Sequence, residues 1–419
     1  MLHTIKSEEH GPLGPEMAKA VSTCVHCGFC LAACPTYKHL GQEADSPRGR
    51  IVLMKEVLEG TLKLDQALPH LDPCLGCLAC EPACPSGVPY RDLISPFRSL
   101  VETKRNRSVA DRFRRMLTQL TLPYPRRFRL AAWTGRLAKP LAWLLPKSMR
   151  VMLQLLPDRL PAKQSWNEVN PPIGPRRARV ALLTGCAQSV LDPDINTATI
   201  DVLTRCGVEV LVPKSQSCCG ALSWHVGNLA QAQSFARQNL HAFPADIDAI
   251  VTNAAGCGSG MHEYHLILKG TPDEERAAKF CERVCDVSVF LDRLGGLPPI
   301  PDSSRPLRIA YHDACHLANA QGVRAEPRRL LKSIPGVEIC EIPDAHLCCG
   351  SAGTYNIDHP EIARVLGEEK ARNILALAPD VVATGNIGCM TQLSNHLARQ
   401  QSDVPIKHTI QVLRDAYRG

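Results

Sequence analysis

From residue 179 onward, apolar runs of four to six residues alternate with longer amphipathic stretches. The β-rich runs fall at 180–184, 208–212 and 249–253, and again at 309–312, 337–342 and 381–384. Short strands separated by helical segments predict a parallel sheet with helices on both faces. The second set copies the first. RVALLTGCAQ at 179–188 aligns with RIAYHDACHL at 308–317, SCCGALSWH at 217–225 with LCCGSAGTY at 347–355, and AIVTNAAGCGSG at 249–260 with DVVATGNIGCMTQ at 380–392. Four matched cysteines recur at offsets of 129, 130, 130 and 132 residues, which makes this region a duplicated domain. The proline cluster PPIGP places its start near residue 178. The expected units are 1–100, 101–178, 179–300 and 301–419, in keeping with a length of 419 residues.

The N-terminal unit carries a different pattern. Cys24-x-x-Cys27-x-x-Cys30-x-x-x-Cys34-Pro35 recurs 50 residues later as Cys74-x-x-Cys77-x-x-Cys80-x-x-x-Cys84-Pro85. This spacing is that of a pair of 4Fe-4S clusters, in which the fourth cysteine of each run serves the other cluster. One cube would take Cys24, Cys27, Cys30 and Cys84, and the other Cys74, Cys77, Cys80 and Cys34. The proline after each fourth cysteine reads as a helix stop. Zinc closes on two separated pairs or with histidine and leaves no use for the third cysteine of each run. Disulfides need an oxidising compartment, and MLHTIKSEEHGPLG has no apolar core of signal-peptide type, which points to the cytoplasm.

In the duplicated region the matched cysteines follow the carboxyl ends of strands, where open α/β sheets bind ligands. They are Cys186, Cys218, Cys219 and Cys257 in the first repeat and Cys315, Cys348, Cys349 and Cys389 in the second. Adjacent cysteines reach two irons of a polynuclear site more easily than one mononuclear metal, and Gly220 and Gly350 give each loop its backbone freedom. A further cluster is one reading of these eight thiols; a quinone site, structural packing or a disulfide switch are the others. His225, His312, His316 and His346 flank them, as hydrogen-bonding partners or as proton carriers. Cys206, Cys281, Cys285 and Cys340 lie outside the repeated pattern and read as core residues.

Charge changes the picture in the middle of the chain. Residues 101–180 hold 18 Lys and Arg against four acids, a balance of +14 in a chain of net +7, so the remainder sums to −7. Trp133, Trp143 and Trp166 fall in the same belt. Basic residues interleaved with Trp and Leu suit an anionic membrane surface, or a helical linker whose arginines dock an acidic partner. No apolar run reaches about 18 residues, so no membrane-spanning helix is expected. No nucleic-acid motif accompanies the charge. GCGSG at 256–260 lacks the Gly-x-Gly-x-x-Gly spacing of a dinucleotide loop and sits in the repeated cysteine loop. Nothing in the chain would accept a hydride, so no residue is assigned a catalytic role and electrons would arrive singly from a flavin elsewhere.

CVHCGFCLAACPTY at 24–37, ADSPRGRI at 44–51, CLGCLACEPACPSGVPY at 74–90 and the paired CCG loops resemble the iron-sulfur subunits of bacterial glycolate oxidase (glycolate dehydrogenase). The resemblance implies an α+β multidomain protein, a helical two-cluster ferredoxin domain followed by two repeated α/β CCG domains. It implies a complex in which an FAD-binding subunit oxidises glycolate to glyoxylate, a second flavoprotein-like subunit assists, and this chain passes electrons toward a quinone-type acceptor. The basic belt at 101–180 would set such a complex peripherally on the inner face of the cell membrane. The iron-sulfur subunits of glycerol-3-phosphate or lactate dehydrogenases and of heterodisulfide reductase are similar alternatives. One departure stands out: the heterodisulfide reductase pattern ends in Cys-x-x-Cys, whereas Gly260 and Gln392 occupy the final position here. A five-cysteine site is missing from both repeats.

Overall fold

The computed structural model describes residues 1–144, 147–302 and 306–418. Its N-terminal unit is helical: α1 (Gly14–Thr23), α2 (Pro35–Leu40), α3 (Pro47–Leu58), α4 (Leu64–Leu71) and α5 (Arg91–Glu102). Met17 and Val21 of α1 pack against Ile51 and Met54 of α3 and Leu93, Ile94 and Phe97 of α5, all buried. Ser46 caps α3 by accepting from the Gly49 N–H at 3.0 Å, with Pro47 in the first helical position. Pro35 behaves in the same way. It opens α2 instead of stopping a helix, because its missing N–H falls among the unpaired donors of a first turn.

The basic segment folds into α6 (Val109–Thr121), α7 (Pro125–Ala138) and α8 (Lys147–Gln154). Its charge is divided. Arg105 pairs with Asp72, Arg107 with Glu102 and Asp111, Arg114 with Asp358, and Arg115 with Glu102, so part of the +14 belt stitches the segment inward. Arg112, Arg126 and Arg127 are exposed. Val109, Phe113, Met116 and Leu120 form an exposed apolar stripe at helical spacing along α6, continued by Leu130, Trp133 and Leu137 on α7 and by Leu141, Trp143 and Leu144. Trp166 departs from this face: its indole N–H donates to Thr197 at 3.0 Å and its ring packs on the first repeat.

The first repeat is a five-stranded sheet, order β1-β3-β2-β4-β5, from β1 (Val169–Asn170), β2 (Ala178–Leu183), β3 (Val208–Leu211), β4 (Ala249–Thr252) and β5 (Val284–Asp286). All pairings are parallel except β1 with β3. Strand β1 lies upstream of the boundary expected at 178, so the linker ends by supplying the sheet with an edge. Around the sheet run α9 (Gln188–Leu191), α10 (Asp194–Arg205), α11 (Ala221–His225), α12 (Leu229–Ala242), α13 (Ala255–His262), α14 (Tyr264–Ile267), α15 (Glu274–Cys281) and α16 (Val287–Leu294). GCGSG is thus part of α13, a helix and no phosphate loop.

The second repeat has the fully parallel order β7-β6-β8-β9, from β6 (Leu307–His312), β7 (Val337–Glu341), β8 (Val381–Thr384) and β9 (Ile406–His408). Its helices are α17 (Ala325–Lys332), α18 (Tyr355–Asp358), α19 (Pro360–Leu375), α20 (Ile387–Arg399) and α21 (Thr409–Arg418). The last helix of each repeat packs on the first long helix of the other, α16 on α17 and α21 on α10. Arg414 of α21 pairs with Asp194 at 2.6 Å, and Arg329 of α17 with Asp292 of α16 at 2.7 Å. One apolar core runs through both halves, from Val180 and Leu203 to Ile309, Leu331 and Leu413.

The ferredoxin unit rests on this pair through close backbone approach. Gly227, at φ 86°, lies where an added Cβ would sit 2.6 Å from the Arg98 carbonyl oxygen, so only glycine fits there.

Candidate iron-sulfur centres

The two N-terminal cysteine runs leave α1 and α4 as loops of matching shape. His26 and Gly28 in the first, and Gly76 and Leu78 in the second, have φ of 58°, 87°, 64° and 58°. Left-handed residues at the same two places turn each loop so that side chains two residues apart converge on one side. For His26 and Leu78 that conformation carries strain, which the loop retains because the surrounding structure over-determines it.

Cys24, Cys27, Cys30 and Cys84 line one cavity, with Cys80 at its wall. Burial pushes the Cys30 thiol up to about 11, and the charges of Cys24 and Cys84 add to that. Around the second loop, burial raises Cys80 well above its ordinary value, followed by Cys77, Cys74, Glu81 and Cys34. Cys34 acts on Cys77 as well. Cys84 thus shares a cavity with Cys24, Cys27 and Cys30, and Cys34 acts on Cys77 and Cys80.

The two sets differ in setting. Cys27 is exposed and flanked by Val25 and Phe29, 63% and 67% exposed. Cys74, Cys77 and Cys34 are buried. Their neighbours point donors inward: the Gly76 N–H lies 3.4 Å from Cys74 Sγ, the Tyr90 hydroxyl 3.7 Å from it, and the Thr36 hydroxyl 3.2 Å from Cys34 Sγ. Arg50 lies among them, 1% exposed. It donates to the His70 carbonyl at 2.7 Å, to Thr36 Oγ1 at 2.9 Å and to Cys34 Sγ at 3.8 Å, and keeps Nη2 without a hydrogen-bond partner. Burial alone would lower the Arg50 pKa, but Cys74, Tyr90, Cys34 and Asp45 drive it up. A buried cation with a spare donor beside four thiols fits an anionic cluster.

Each CCG loop gathers its own four thiols. In the first repeat, Cys218 Sγ stands 3.4 Å from Cys186 Sγ, and Cys219 interacts with Cys218 and Cys257. In the second, Cys315 and Cys348 are 3.9 Å apart, Cys349 interacts with Cys348 and Cys389, and Asn386 donates to Cys389 at 3.4 Å. Thiol contacts raise Cys218, Cys257, Cys348 and Cys389 and lower Cys219 and Cys349, so both repeats hold the same electrostatic pattern. Among the described residues, the donor atoms of His312, Cys349 and Cys389 all lie within 4.8 Å of one another. Repeat alignment puts Leu183 at the position of His312, so the first repeat has no imidazole there. The other flanking histidines separate. His225 and His316 face each other with ring centroids 5.2 Å apart, while His346 is exposed. Cys206, Cys281 and Cys340 are buried and Cys285 partly so.

The second cluster loop is wedged between the repeats. Burial first, and Cys315 next, raise Cys77. Asn319 donates to the Cys77 carbonyl at 3.1 Å, and Leu75, Cys77, Cys315, Cys348 and Tyr355 share one apolar cluster. Arg98 donates to the Cys74 carbonyl at 2.6 Å and to the His225 carbonyl at 3.2 Å, joining the loop to the first repeat.

Residues 20–88 match the 4Fe-4S dicluster domain, and 180–262 and 309–394 match the cysteine-rich CCG domain. A dicluster unit seated on two CCG domains defines an iron-sulfur electron-transfer protein. The chain is 37% identical over 395 residues to a Bacillus subtilis protein named as a probable glycolate oxidase iron-sulfur subunit, covering 90% of this chain and 89% of that one. It is 36% identical over 410 residues to the Escherichia coli glycolate oxidase iron-sulfur subunit, covering 96% and 95%. Lactate utilization protein A of Oceanobacillus iheyensis aligns at 29% over 58% of this chain and 98% of its own length. The chain belongs to the family of glycolate oxidase iron-sulfur subunits.

Two predictions follow from the packing. Arg50→Met strands the thiol set without its buried countercharge and is expected to cost about 3–5 kcal/mol, as breaking a buried pair does; Arg50→Lys keeps the charge and costs less. Anaerobic denaturant unfolding with cluster spectra checks this, and equal stability of wild type and Arg50→Met contradicts it. At Gly260, an added Cβ would lie 2.4 Å from the Ala221 Cβ. Gly260→Cys is therefore expected to overpack, losing about 1–3 kcal/mol, without raising iron per chain.

Proposed function

We propose that this chain is the electron-transfer subunit of a flavin-dependent glycolate dehydrogenase. Electrons arrive singly from FAD on a partner subunit, pass through two 4Fe-4S clusters, and leave near the CCG domains toward a quinone-type acceptor. The partner set comprises the FAD-binding subunit and a second flavoprotein-like subunit. The first cluster would be held by Cys24, Cys27, Cys30 and Cys84, the second by Cys74, Cys77, Cys80 and Cys34. Iron-sulfur clusters supply one-electron steps, which match a two-electron flavin to a distant acceptor. What carries the reading is the contrast in setting: one thiol set opens to solvent beside Val25 and Phe29, and the other lies buried against Cys315. The exposed set suits entry from a partner and the buried one suits exit. Glycolate is favoured over lactate because the glycolate relatives cover 90–96% of the chain and the lactate-utilization relative 58%.

Co-purification from the native host, followed by substrate-dependent dye reduction, tests the assignment. Glycolate is expected to drive the reaction, and lactate-only activity would overturn the substrate. Within that complex, Cys34→Ser is expected to damage the cluster of Cys74, Cys77 and Cys80 and leave the other cluster's spectrum in place. Damage confined to the first cluster would defeat the crossed assignment. Cys219→Ser and Cys349→Ser should each lower iron per chain if the CCG thiols also hold metal.

The apolar stripe of α6 and α7, rimmed by Arg112, Arg126 and Arg127, suits the surface of an anionic bilayer. No described helix is long and apolar enough to cross one. Each basic residue near such a surface contributes roughly 1 kcal/mol, and salt screens it. The complex is expected to sediment with anionic vesicles at low ionic strength, to release in high salt, and to bind less after Arg126→Gln with Arg127→Gln. Arg129 is left intact because it donates to the Pro161 carbonyl at 2.8 Å. Loss of the flavoprotein subunits with vesicle binding unchanged would make the belt a partner dock.

A further inference from the structure

Behind α6 lies an open cleft of about 220 Å³ where the ferredoxin unit meets both repeats. Cys74 and Leu75 of the buried cluster loop form one wall, Leu222 and His225 after the first CCG loop another, and residues 352–359 after the second CCG loop a third.

We infer that this cleft is the reduction site for a benzoquinone- or naphthoquinone-type acceptor, an inference that rests on the electron-transfer role proposed above. Four observations converge on it. The first is proximity to the electron source, since Cys74 belongs to the buried thiol set and also lines the cleft. The second is a wall of flat rings. Tyr355 and His359 stand with centroids 4.8 Å apart and His225 and His316 with centroids 5.2 Å apart, giving stacking surfaces for a planar head group.

The third is free hydrogen-bonding capacity. His316 lines the cleft, and its Nδ1 is buried with no hydrogen-bond partner in the protein. The His359 ring has no hydrogen bond among the described residues. Two such groups on different walls suit an acceptor with two oxygens at opposite ends of one ring. The fourth is the approach. Helix α6 turns Arg114 and Arg115 into the cleft, ion-paired with Asp358 and Glu102, and turns Phe113 and Met116 outward. A lipid-soluble acceptor would thus be drawn from the surface on which the apolar stripe lies.

The chemistry balances without another reactant. Two electrons, originating in the oxidised 2-hydroxy acid, would reach it singly from the cluster that Cys74 and its partner thiols would hold. Two protons enter from solvent through the open mouth, and both C=O groups become C–OH. Arg98 lines the cleft, bridges Cys74 and His225 through their carbonyls, and has no carboxylate partner among the described residues. Its charge favours negative charge arriving at the ring ahead of the protons.

The test uses the intact complex with glycolate and two acceptors, a short-tailed benzoquinone and a hydrophilic dye. Leu222→Trp fills the cleft and His359→Ala removes one ring. Each is expected to lower the ratio of quinone to dye turnover about tenfold or more, through KM for the quinone in the first case. If wild type reduces the dye but no quinone, the acceptor reading fails and the cleft assignment with it. If wild type reduces the quinone and both variants keep its kcat and KM, the cleft is not the site while the function stands. Should a variant lose iron and both activities, labelling of the wild-type complex with an azidoquinone decides. Adducts on 222–226 or 352–359 support the site, and adducts confined elsewhere overturn it.

Discussion

Burying many thiolates in one small volume is the constraint around which the rest of the molecule is arranged. Burial first and neighbouring thiols next raise Cys77 and Cys80, and only opposing charge or hydrogen bonds can offset that. Arg50 answers it from below, sealed at 1% exposure. Backbone donors and the Tyr90 and Thr36 hydroxyls answer it from the sides. A fully buried arginine would be destabilising in an ordinary core. Here its desolvation is offset by Cys74, Tyr90 and Cys34 and by Asp45, which pairs with it at 3.9 Å. The ADSPRGRI segment is then understood physically: Ser46 and Pro47 start α3, and one turn later the helix delivers Arg50 to the cluster loop.

The same constraint explains why the ferredoxin unit leans on the duplicated domain. The buried cluster loop is covered by the second repeat through Asn319 and Tyr355, whose hydroxyl donates to the Pro73 carbonyl at 2.9 Å, and by the first repeat through His225. The repeats can provide that cover because they are locked to each other by exchanged terminal helices and one continuous core. A rigid pair can hold a cluster loop at fixed distance from the CCG thiols, and single-electron transfer requires that fixity.

Much of this was legible in the sequence, for reasons that differ by region. The cysteine spacings are dictated by local chain geometry, so the two runs and the duplication at about 130 residues could be read directly. The three strands expected in each repeat occur, within a residue or two at their ends. Strands β1, β5 and β9 escaped because two or three residues carry no periodicity, and β1 exists only through its pairing with β3. The proline after Cys34 was misread because proline ends one helix and opens the next with equal ease. Charge counting made the belt uniform, whereas pairing with Asp72, Glu102 and Asp358 divides it into an inward and an outward half. Asp72 and Asp358 are distant in sequence from Arg105 and Arg114, and no local pattern announces them.

The absent fifth cysteine shows how far the two repeats have moved from a shared pattern. In the first, residue 260 is pressed against Ala221 and only a hydrogen fits. In the second, Gln392 is buried and hydrogen-bonded to Ala363 and His396. Both positions have been absorbed into packing, by unrelated means. Meanwhile the second repeat sets an imidazole, His312, with its donor atoms within 4.8 Å of those of Cys349 and Cys389, whereas His225 acts on Cys219 of the first, and the second repeat places Cys315 where it acts on Cys77. Duplication supplied two equivalent cysteine edges, but docking one ferredoxin unit against a two-fold pair cannot treat both edges alike. The second repeat's edge packs its thiols against the Cys77 loop, whereas residues after both CCG loops line the cleft beside it.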